Sequence, residues 1–175
     1  EEPRGNPYQY EHECMIYDNV PNFELQTHQK KVIQFMMDTN QRGILLFHGL
    51  GSGKTITSIA ISRCLMFNHP KLKLIIATPP SVVKQFEKEL LNLKANDINN
   101  RFKVVSQPYL ALHYQDLVDK NTILVIDEAH NLKTPTSKRA MAIMNACKEA
   151  YKVILLSATP VVNDPSELAT LLAMI

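Results

Sequence analysis

Residues 44–55 read ILLFHGLGSGKT, an apolar run followed directly by a glycine-rich segment that ends in Lys54 and Thr55. The glycines let the backbone turn so that its amides point inward, and a helix that begins at Lys54 would add its positive end. A turn of this kind binds phosphate groups, so Lys54 would reach the β and γ phosphates of a nucleotide and Thr55 would bind Mg²⁺. This segment, the phosphate loop, consists of His48, Gly49, Leu50, Gly51, Ser52, Gly53, Lys54 and Thr55.

Apolar runs without polar alternation indicate the fold class. They lie at residues 44–47, 74–77, 123–126 and 153–156, with a weaker one at 102–105. Continuous apolarity is typical of strands covered on both faces, which belong to parallel sheets. Between the runs, apolar residues recur at three- and four-residue steps, which predicts helices at 54–67, 81–93, 137–147 and 166–174. The alternation predicts a doubly wound α/β fold with a mainly parallel sheet, helices on both faces and ligands beyond the carboxyl ends of the strands.

The length and composition fit one globular domain. The chain has 175 residues, of which 45% are hydrophobic and 21% charged, near globular averages. Residues 1–22 show neither helical nor strand periodicity and predict an N-terminal arm, whereas residues 23–175 predict a single domain. Because the chain begins at Glu1 and stops inside an apolar stretch at Ile175, we expect it to be a fragment of a longer protein.

Charge, cysteine spacing and hydropathy argue against several classes of protein. The net charge of +2 lacks the strong positive field of a protein that holds nucleic acid by bulk electrostatics, so any such contact must be local. Three widely spaced cysteines without a signal peptide favour a reducing compartment. No apolar run reaches the ~18 residues that a membrane helix needs, so we expect no membrane partner.

The apolar run at 123–126 leads into an acidic pair, Asp127 and Glu128. A carboxylate at the end of a buried strand is costly unless it meets a cation, and Mg²⁺ bound by Thr55 would be that cation. Glu128 would instead point toward the γ phosphate, where it can orient and deprotonate the attacking water.

The last apolar run leads into Ser157-Ala158-Thr159-Pro160. An ordinary cap at a helix entry is one interpretation of this turn. However, it follows a strand of the same predicted sheet as the phosphate loop and the acidic pair. The hydroxyls of Ser157 and Thr159 would therefore reach His130 or the γ phosphate.

These three blocks, in this order, resemble motifs I, II and III of helicase superfamily two, whose motor lobes have a RecA-like fold. The resemblance covers residues 23–175, with His48 where the usual pattern has Gly. Residues 25–29 resemble the element that contacts adenine, which implies that contact for Gln29. The family also implies contacts with DNA phosphates at Thr78, Pro79, Ser81 and Ser106. It further implies a second motor lobe in the same polypeptide, which supplies an arginine and without which this lobe would be nearly inactive.

Further stretches resemble the SWI/SNF-type translocating ATPases within this superfamily. Residues 128–133 are similar to their extended motif II, and residues 159–163 to their motif III. Residues 45–49 and 163–165 most resemble the branch found in large cytoplasmic DNA viruses, which includes the poxvirus-type early transcription factor. The resemblance implies double-stranded DNA as a partner, and RNA polymerase or another transcription factor subunit as a second. It also implies the host cytoplasm and the virion as locations.

The leading hypothesis is the first ATPase lobe of a DNA translocase that acts in viral early transcription. A strand-separating helicase shares the same motifs. A lobe that binds nucleotide or partners without catalysis is disfavoured by the intact Lys54, Thr55, Asp127 and Glu128. A kinase of the phosphate-loop class would pair the strand at 44–47 directly with the metal strand, whereas the RecA-like arrangement inserts residues 153–156 between them. Strand order therefore separates these two classes.

Overall fold

A computed structural model of the chain describes residues 13–15, 23–38, 40–47, 53–92, 101–132, 134, 136–158 and 165–175. Residues 48–52 of the phosphate loop and Thr159 lie outside the described residues. The α-helices are α1 (Thr27–Met37), α2 (Lys54–Asn68), α3 (Val83–Asn92), α4 (Gln107–Leu117), α5 (Lys138–Glu149) and α6 (Pro165–Leu172). The strands are β1 (Gly43–Phe47), β2 (Lys73–Thr78), β3 (Phe102–Ser106), β4 (Thr122–Ile126) and β5 (Lys152–Ser157). Short 3₁₀ turns cover Glu13–Met15, Pro80–Val82 and Ala129–Leu132.

The strands form one parallel sheet in the order β1-β5-β4-β2-β3. Strand β5 lies between β1 and β4, with Leu46 opposite Leu156 and Ile126 opposite Leu155. This order confirms the RecA-like prediction and excludes the direct pairing of β1 with β4 that a kinase-type sheet requires. All carboxyl ends of the strands meet at one edge of the sheet, because every pairing is parallel.

The sheet buries apolar side chains on both faces. In β2, Leu74 and Ile76 belong to the cluster shared with α1, α2 and α3, whereas Ile75 and Ala77 belong to the cluster shared with α4, α5 and α6. Successive strand residues point to opposite faces, so a strand covered on both sides has no polar face. The unbroken apolar runs in the sequence are the consequence.

Residues 13–15 pack on the domain. Cys14 and Met15 are buried in the same core as α2, and Cys14 forms a disulfide with Cys64 of that helix, 50 positions away. Arg63 also donates a hydrogen bond to the Cys14 carbonyl. The sequence predicted neither this pairing nor this packing for the arm. Cys147 is a buried free thiol, and burial raises its pKa to about 12.

Helices α1 and α4 were not predicted, although the strands and the other helices were located within a few residues. Residues 106–109 form the start of α4: Ser106 is the N-cap, and its hydroxyl accepts a hydrogen bond from Tyr109 N at 3.2 Å. Pro108 is tolerated there because first-turn amides have no partner within the helix. No helix in the described part of the chain is long and apolar enough to cross a bilayer.

A buried lysine holds the end of α1. Lys152, at the start of β5, is 2% exposed, and its Nζ donates to the carbonyl oxygens of Met36 at 3.0 Å, Asp38 at 2.7 Å and Gln41. Burial lowers the pKa of this ammonium, and the nearby Asp38 opposes that shift. The carbonyls at a helix C-terminus attract a cation, so Lys152 fixes α1 to the sheet.

Candidate nucleotide and metal site

The site lies at the carboxyl edge of the sheet, where α2 begins. Gly53 precedes the helix with φ 73°, a left-handed conformation that glycine adopts without steric cost. Gly53, the N-cap, offers no side-chain hydrogen bond to the helix, and the amides of a first helical turn have no partner within the helix. Lys54 is the first helical residue, and Thr55, partly buried, is the second. The helix start thus combines unpaired amides, a cation and a hydroxyl, which are the groups that hold a triphosphate.

Gln29 of α1 lies against the same helix start. Its Oε1 accepts from Gln26 N at 2.9 Å, and its Nε2 donates to Thr57 Oγ1 at 3.0 Å. Thr57 in turn donates to the Gly53 carbonyl at 2.9 Å. Gln29 is 5% exposed, and a Cβ on Gly53 would lie 3.2 Å from its Nε2. The structure therefore places the residue predicted to contact adenine beside the phosphate loop and shows what positions it. The contribution of Thr57 was not found from the sequence.

Asp127 follows β4 and is held by β2. Its backbone N donates to the Ala77 carbonyl at 2.8 Å, and its Oδ2 accepts from Thr78 Oγ1 at 3.1 Å. Burial raises the pKa of Asp127, and the adjacent Glu128 raises it further, while Thr78 and Lys54 lower it. The described residues thus leave the charge of this carboxylate poorly compensated. A divalent cation that prefers oxygen ligands fits this need, with Asp127 and Thr55 as the residues that would hold it.

Glu128 and His130 connect the start of α2 with the end of β5. Its backbone has φ 52°. One carboxylate oxygen lies 3.9 Å from Lys54 Nζ, and the other lies 3.2 Å from His130 Nε2. His130 Nδ1 lies 3.2 Å from Ser157 Oγ. The structure therefore brings Lys54 of α2, Glu128 and His130 after β4, and Ser157 of β5 into one polar chain.

The residues predicted to contact DNA differ in their surroundings. Thr78 is fully buried, and its hydroxyl is used by Asp127, so that side chain does not face solvent. Pro79 is partly buried, Ser81 is exposed and Ser106 is half-buried. A cavity of about 520 Å³ opens beside the last two. Its lining includes Ser81, Lys84, Lys103, Ser106 and Tyr109. The Lys103 ammonium lies 5.5 Å from the Tyr109 ring centroid.

Gln107 is a buried residue at this edge of the sheet that was not among the site residues predicted from the sequence. Gln107 is 2% exposed, and its Nε2 donates to the Asp127 carbonyl at 2.6 Å. The sequence carries no signal for it, since a glutamine after a serine reads as part of a polar turn. Its partner lies 20 positions along the chain and becomes a neighbour only through the pairing of β2 with both β3 and β4.

The sheet order and the residues at its carboxyl edge define a RecA-like lobe of a nucleoside triphosphatase. The family model for the res subunit of type III restriction enzymes matches residues 22–162, and the chain belongs to that family. It is thus a helicase-type ATPase domain of superfamily two.

Known relatives agree with this assignment. A candidate ATP-dependent RNA helicase of Acanthamoeba polyphaga mimivirus is 35% identical, covering 86% of this chain and 32% of its own length. The early transcription factor 70 kDa subunit of Fowlpox virus is 29% identical, covering 90% of this chain and 26% of its own. The Sulfolobus solfataricus SWI2/SNF2 ATPase core, solved in complex with double-stranded DNA, has a TM-score of 0.74 at 23% identity, over 87% of this chain and 36% of that one. The chain thus spans about a third or less of the length of these relatives.

Proposed function

We propose that this chain is the ATP-binding lobe of an ATP-dependent DNA translocase that acts in viral early transcription. The observation that carries the proposal is the polar chain from Lys54 through Glu128 and His130 to Ser157, beside the buried Asp127. Lys54 supplies a cation for phosphate, Glu128 a carboxylate for the attacking water, and Asp127 a carboxylate for a metal ion. His130 and Ser157 connect Glu128 to the end of β5.

Lys54 has two anionic partners in the proposed reaction. In this structure its Nζ lies 3.9 Å from Glu128 Oε1. When ATP binds, the ammonium moves to the β and γ phosphates, where charge develops during phosphoryl transfer. That movement frees the Glu128 carboxylate from its cation. Glu128 then accepts a proton from the attacking water.

Asp127 and Thr55 would hold Mg²⁺ at this site. When bound, Mg²⁺ neutralises charge on the β and γ phosphate oxygens. Asp127 is suited to the task because two of its atoms are already fixed, at N by Ala77 and at Oδ2 by Thr78. A ligand fixed in this way needs little reorganisation when the metal binds.

His130 and Ser157 would report the state of the nucleotide. His130 touches Glu128 with one ring nitrogen and Ser157 with the other, so a shift of the carboxylate changes both contacts. Ser157 ends β5, the strand between the phosphate-loop strand and the metal strand. The second motor lobe, with its arginine, would close over this edge and complete the site.

DNA is the proposed partner, at the face formed by Pro79, Ser81, Ser106 and the cavity beside them. Two exposed lysines, Lys84 and Lys103, give this face a local positive charge that suits phosphates. The structural neighbour bound to double-stranded DNA and the viral transcription factor relative support a duplex and a role in transcription. RNA polymerase or another transcription factor subunit is the second proposed partner.

The catalytic proposal is tested with Lys54→Ala and Glu128→Gln in the full-length protein, with exposed Lys120→Ala as the matched control. We expect Lys54→Ala to reduce ATP turnover by at least about a hundredfold, because it removes charge stabilisation of the transition state. Glu128→Gln should retain ATP binding but lose hydrolysis. Turnover of Lys54→Ala above roughly a tenth of the wild-type rate would contradict the proposal.

The alternative is a strand-separating helicase, which the name of the mimivirus relative favours. Displacement of a third strand from a triplex, without unwinding of a forked duplex, supports the translocase. Unwinding of the fork supports the helicase. Replacing both Lys84 and Lys103 with Ala should weaken DNA binding and reduce its salt dependence by about two phosphate contacts.

A further inference from the structure

Gln107 is a buried polar residue that the proposed reaction does not yet use. It is the first residue of α4, directly after the N-cap Ser106, and is 2% exposed. Its side-chain amide donates to the carbonyl oxygen of Asp127 at 2.6 Å. This hydrogen bond joins the start of α4 to the loop that carries the metal ligand and the general base.

The bond acts on the peptide group between Asp127 and Glu128. The carbonyl oxygen of Asp127 and the nitrogen of Glu128 belong to one planar peptide group. A hydrogen bond that holds the oxygen therefore also fixes the orientation of the Glu128 nitrogen. Glu128 has φ 52°, and it is the only non-glycine residue with positive φ in the part of the chain that the structure describes. A glutamate keeps such a conformation only when its surroundings hold it.

The other contacts of Asp127 hold different atoms. Ala77 fixes its nitrogen, and Thr78 fixes its carboxylate. The Glu128 carboxylate faces Lys54 and His130 rather than α4. Gln107 therefore reaches Glu128 through the backbone, by its hydrogen bond to the Asp127 carbonyl oxygen.

Gln107 lies between the proposed DNA face and the loop that carries Asp127 and Glu128. Ser106, one residue before it, and Tyr109, two residues after it, line the cavity at the proposed DNA face. Because Gln107 lies in the first turn of α4, a displacement of that turn would move its amide relative to Asp127. The hydrogen bond is thus placed to transmit DNA contact to the hydrolytic carboxylate.

We propose that Gln107 is a positioning residue for ATP hydrolysis, which holds the Asp127–Glu128 peptide and links the start of α4 to the Glu128 carboxylate. This inference rests on the proposed function, in which Glu128 is the base.

The test compares Gln107→Met with Gln115→Met in the full-length protein. Methionine has nearly the length of glutamine but cannot donate the hydrogen bond, and Gln115 is an exposed residue of the same helix. With double-stranded DNA present, Gln107→Met should lower kcat for ATP at least about tenfold and leave KM within about threefold, because geometry rather than binding is lost. Gln115→Met should match the wild type.

A second measurement separates positioning from general destabilisation. In a Glu128→Gln background, Gln107→Met should cause no further loss of the residual single-turnover rate, since the positioned carboxylate is absent. A further loss equal to that seen in the wild-type background would overturn the proposal.

Other outcomes distinguish this inference from the proposed function. If Lys54→Ala loses turnover but Gln107→Met keeps the wild-type kcat, the positioning role is wrong and the ATPase proposal stands. If Lys54→Ala keeps turnover, both fail. If saturating DNA restores kcat of Gln107→Met, Gln107 serves DNA binding and the positioning role is wrong.

A second variant covers the case in which Gln107→Met does not fold. Gln107→Asn keeps an amide on a side chain shorter by one methylene and should show the same kcat loss. Wild-type kcat in that variant would overturn the proposal.

Discussion

Asp127→Asn should stabilise the nucleotide-free and metal-free protein while destroying its activity. The carboxylate is 9% exposed, is adjacent to Glu128 in sequence, and has the Thr78 hydroxyl as its side-chain donor. Burial and the charge of Glu128 both raise its pKa. An asparagine oxygen can still accept from Thr78, whereas the buried charge and its repulsion from Glu128 are gone. Removing a functional charge of this kind is worth about 1 kcal/mol, or about 2–4 °C in Tm for a domain of this size.

The pH dependence of this effect has a definite sign. A folded-state pKa above the usual value of 3.8 means that the folded protein binds this proton more tightly than the unfolded chain does. The contribution of Asp127 to stability therefore falls as pH rises through the folded pKa. The Tm advantage of Asp127→Asn should be largest near neutral pH and should shrink as pH falls toward 3.8.

Asp119 provides a matched control with the opposite sign. It accepts hydrogen bonds from Asn121 N at 2.8 Å, Lys73 Nζ at 3.2 Å and Thr122 Oγ1 at 3.2 Å. The Asn121 amide has the largest effect and lowers the pKa of Asp119; burial, the next largest, opposes it, and Lys73 and Thr122 lower the pKa further. Asp119→Asn should therefore lower Tm at neutral pH, and this loss should fade as pH falls through the folded pKa.

The assay is thermal unfolding of the full-length variants in EDTA and again with Mg²⁺ and ADP. Wild-type Tm should rise on addition of Mg²⁺ and ADP, because a ligand that binds only the folded state stabilises it. Asp127→Asn should gain less. A lower Tm of Asp127→Asn than wild type in EDTA, or an equal gain with Mg²⁺ and ADP, would refute the reasoning.

Two further predictions concern the supports of the site. Lys152→Met should lower Tm by about 4–8 °C, because three carbonyl oxygens around the end of α1 lose their donor at a net cost of about 2 kcal/mol; an unchanged Tm in a melting experiment would contradict this. Gly53→Ala should lower stability by about 1–2 kcal/mol, since φ 73° is left-handed and the new Cβ would lie 3.2 Å from Gln29 Nε2. The ATP affinity of this variant, measured by calorimetry, should also fall. Unaltered affinity would show that the added Cβ does not disturb Gln29.

The strands and the start of α2 at Lys54 could be predicted because their signals are local. A strand buried on both faces must be apolar at successive positions, and an anion-binding turn needs glycines beside a helix start. Helix α4 was missed because Leu112 on it is 80% exposed, which blurs the apolar period, and because Pro108 resembles a turn residue. The strand order was predicted only through the family resemblance, since the periodicity of a strand does not identify its neighbours.

The sequence by itself determined the α/β class, the glycine-rich stretch before the helix that begins at Lys54, and the carboxylates Asp127 and Glu128 after a buried strand. Only the tertiary structure decided that Thr78 contacts Asp127 rather than solvent, and that Lys152 holds the end of α1. It also decided that Cys14 meets Cys64 and that Gln107 reaches Asp127. These partners lie between 20 and 116 positions apart. Local preference specifies which elements form, but the crossovers between parallel strands decide which side chains become neighbours.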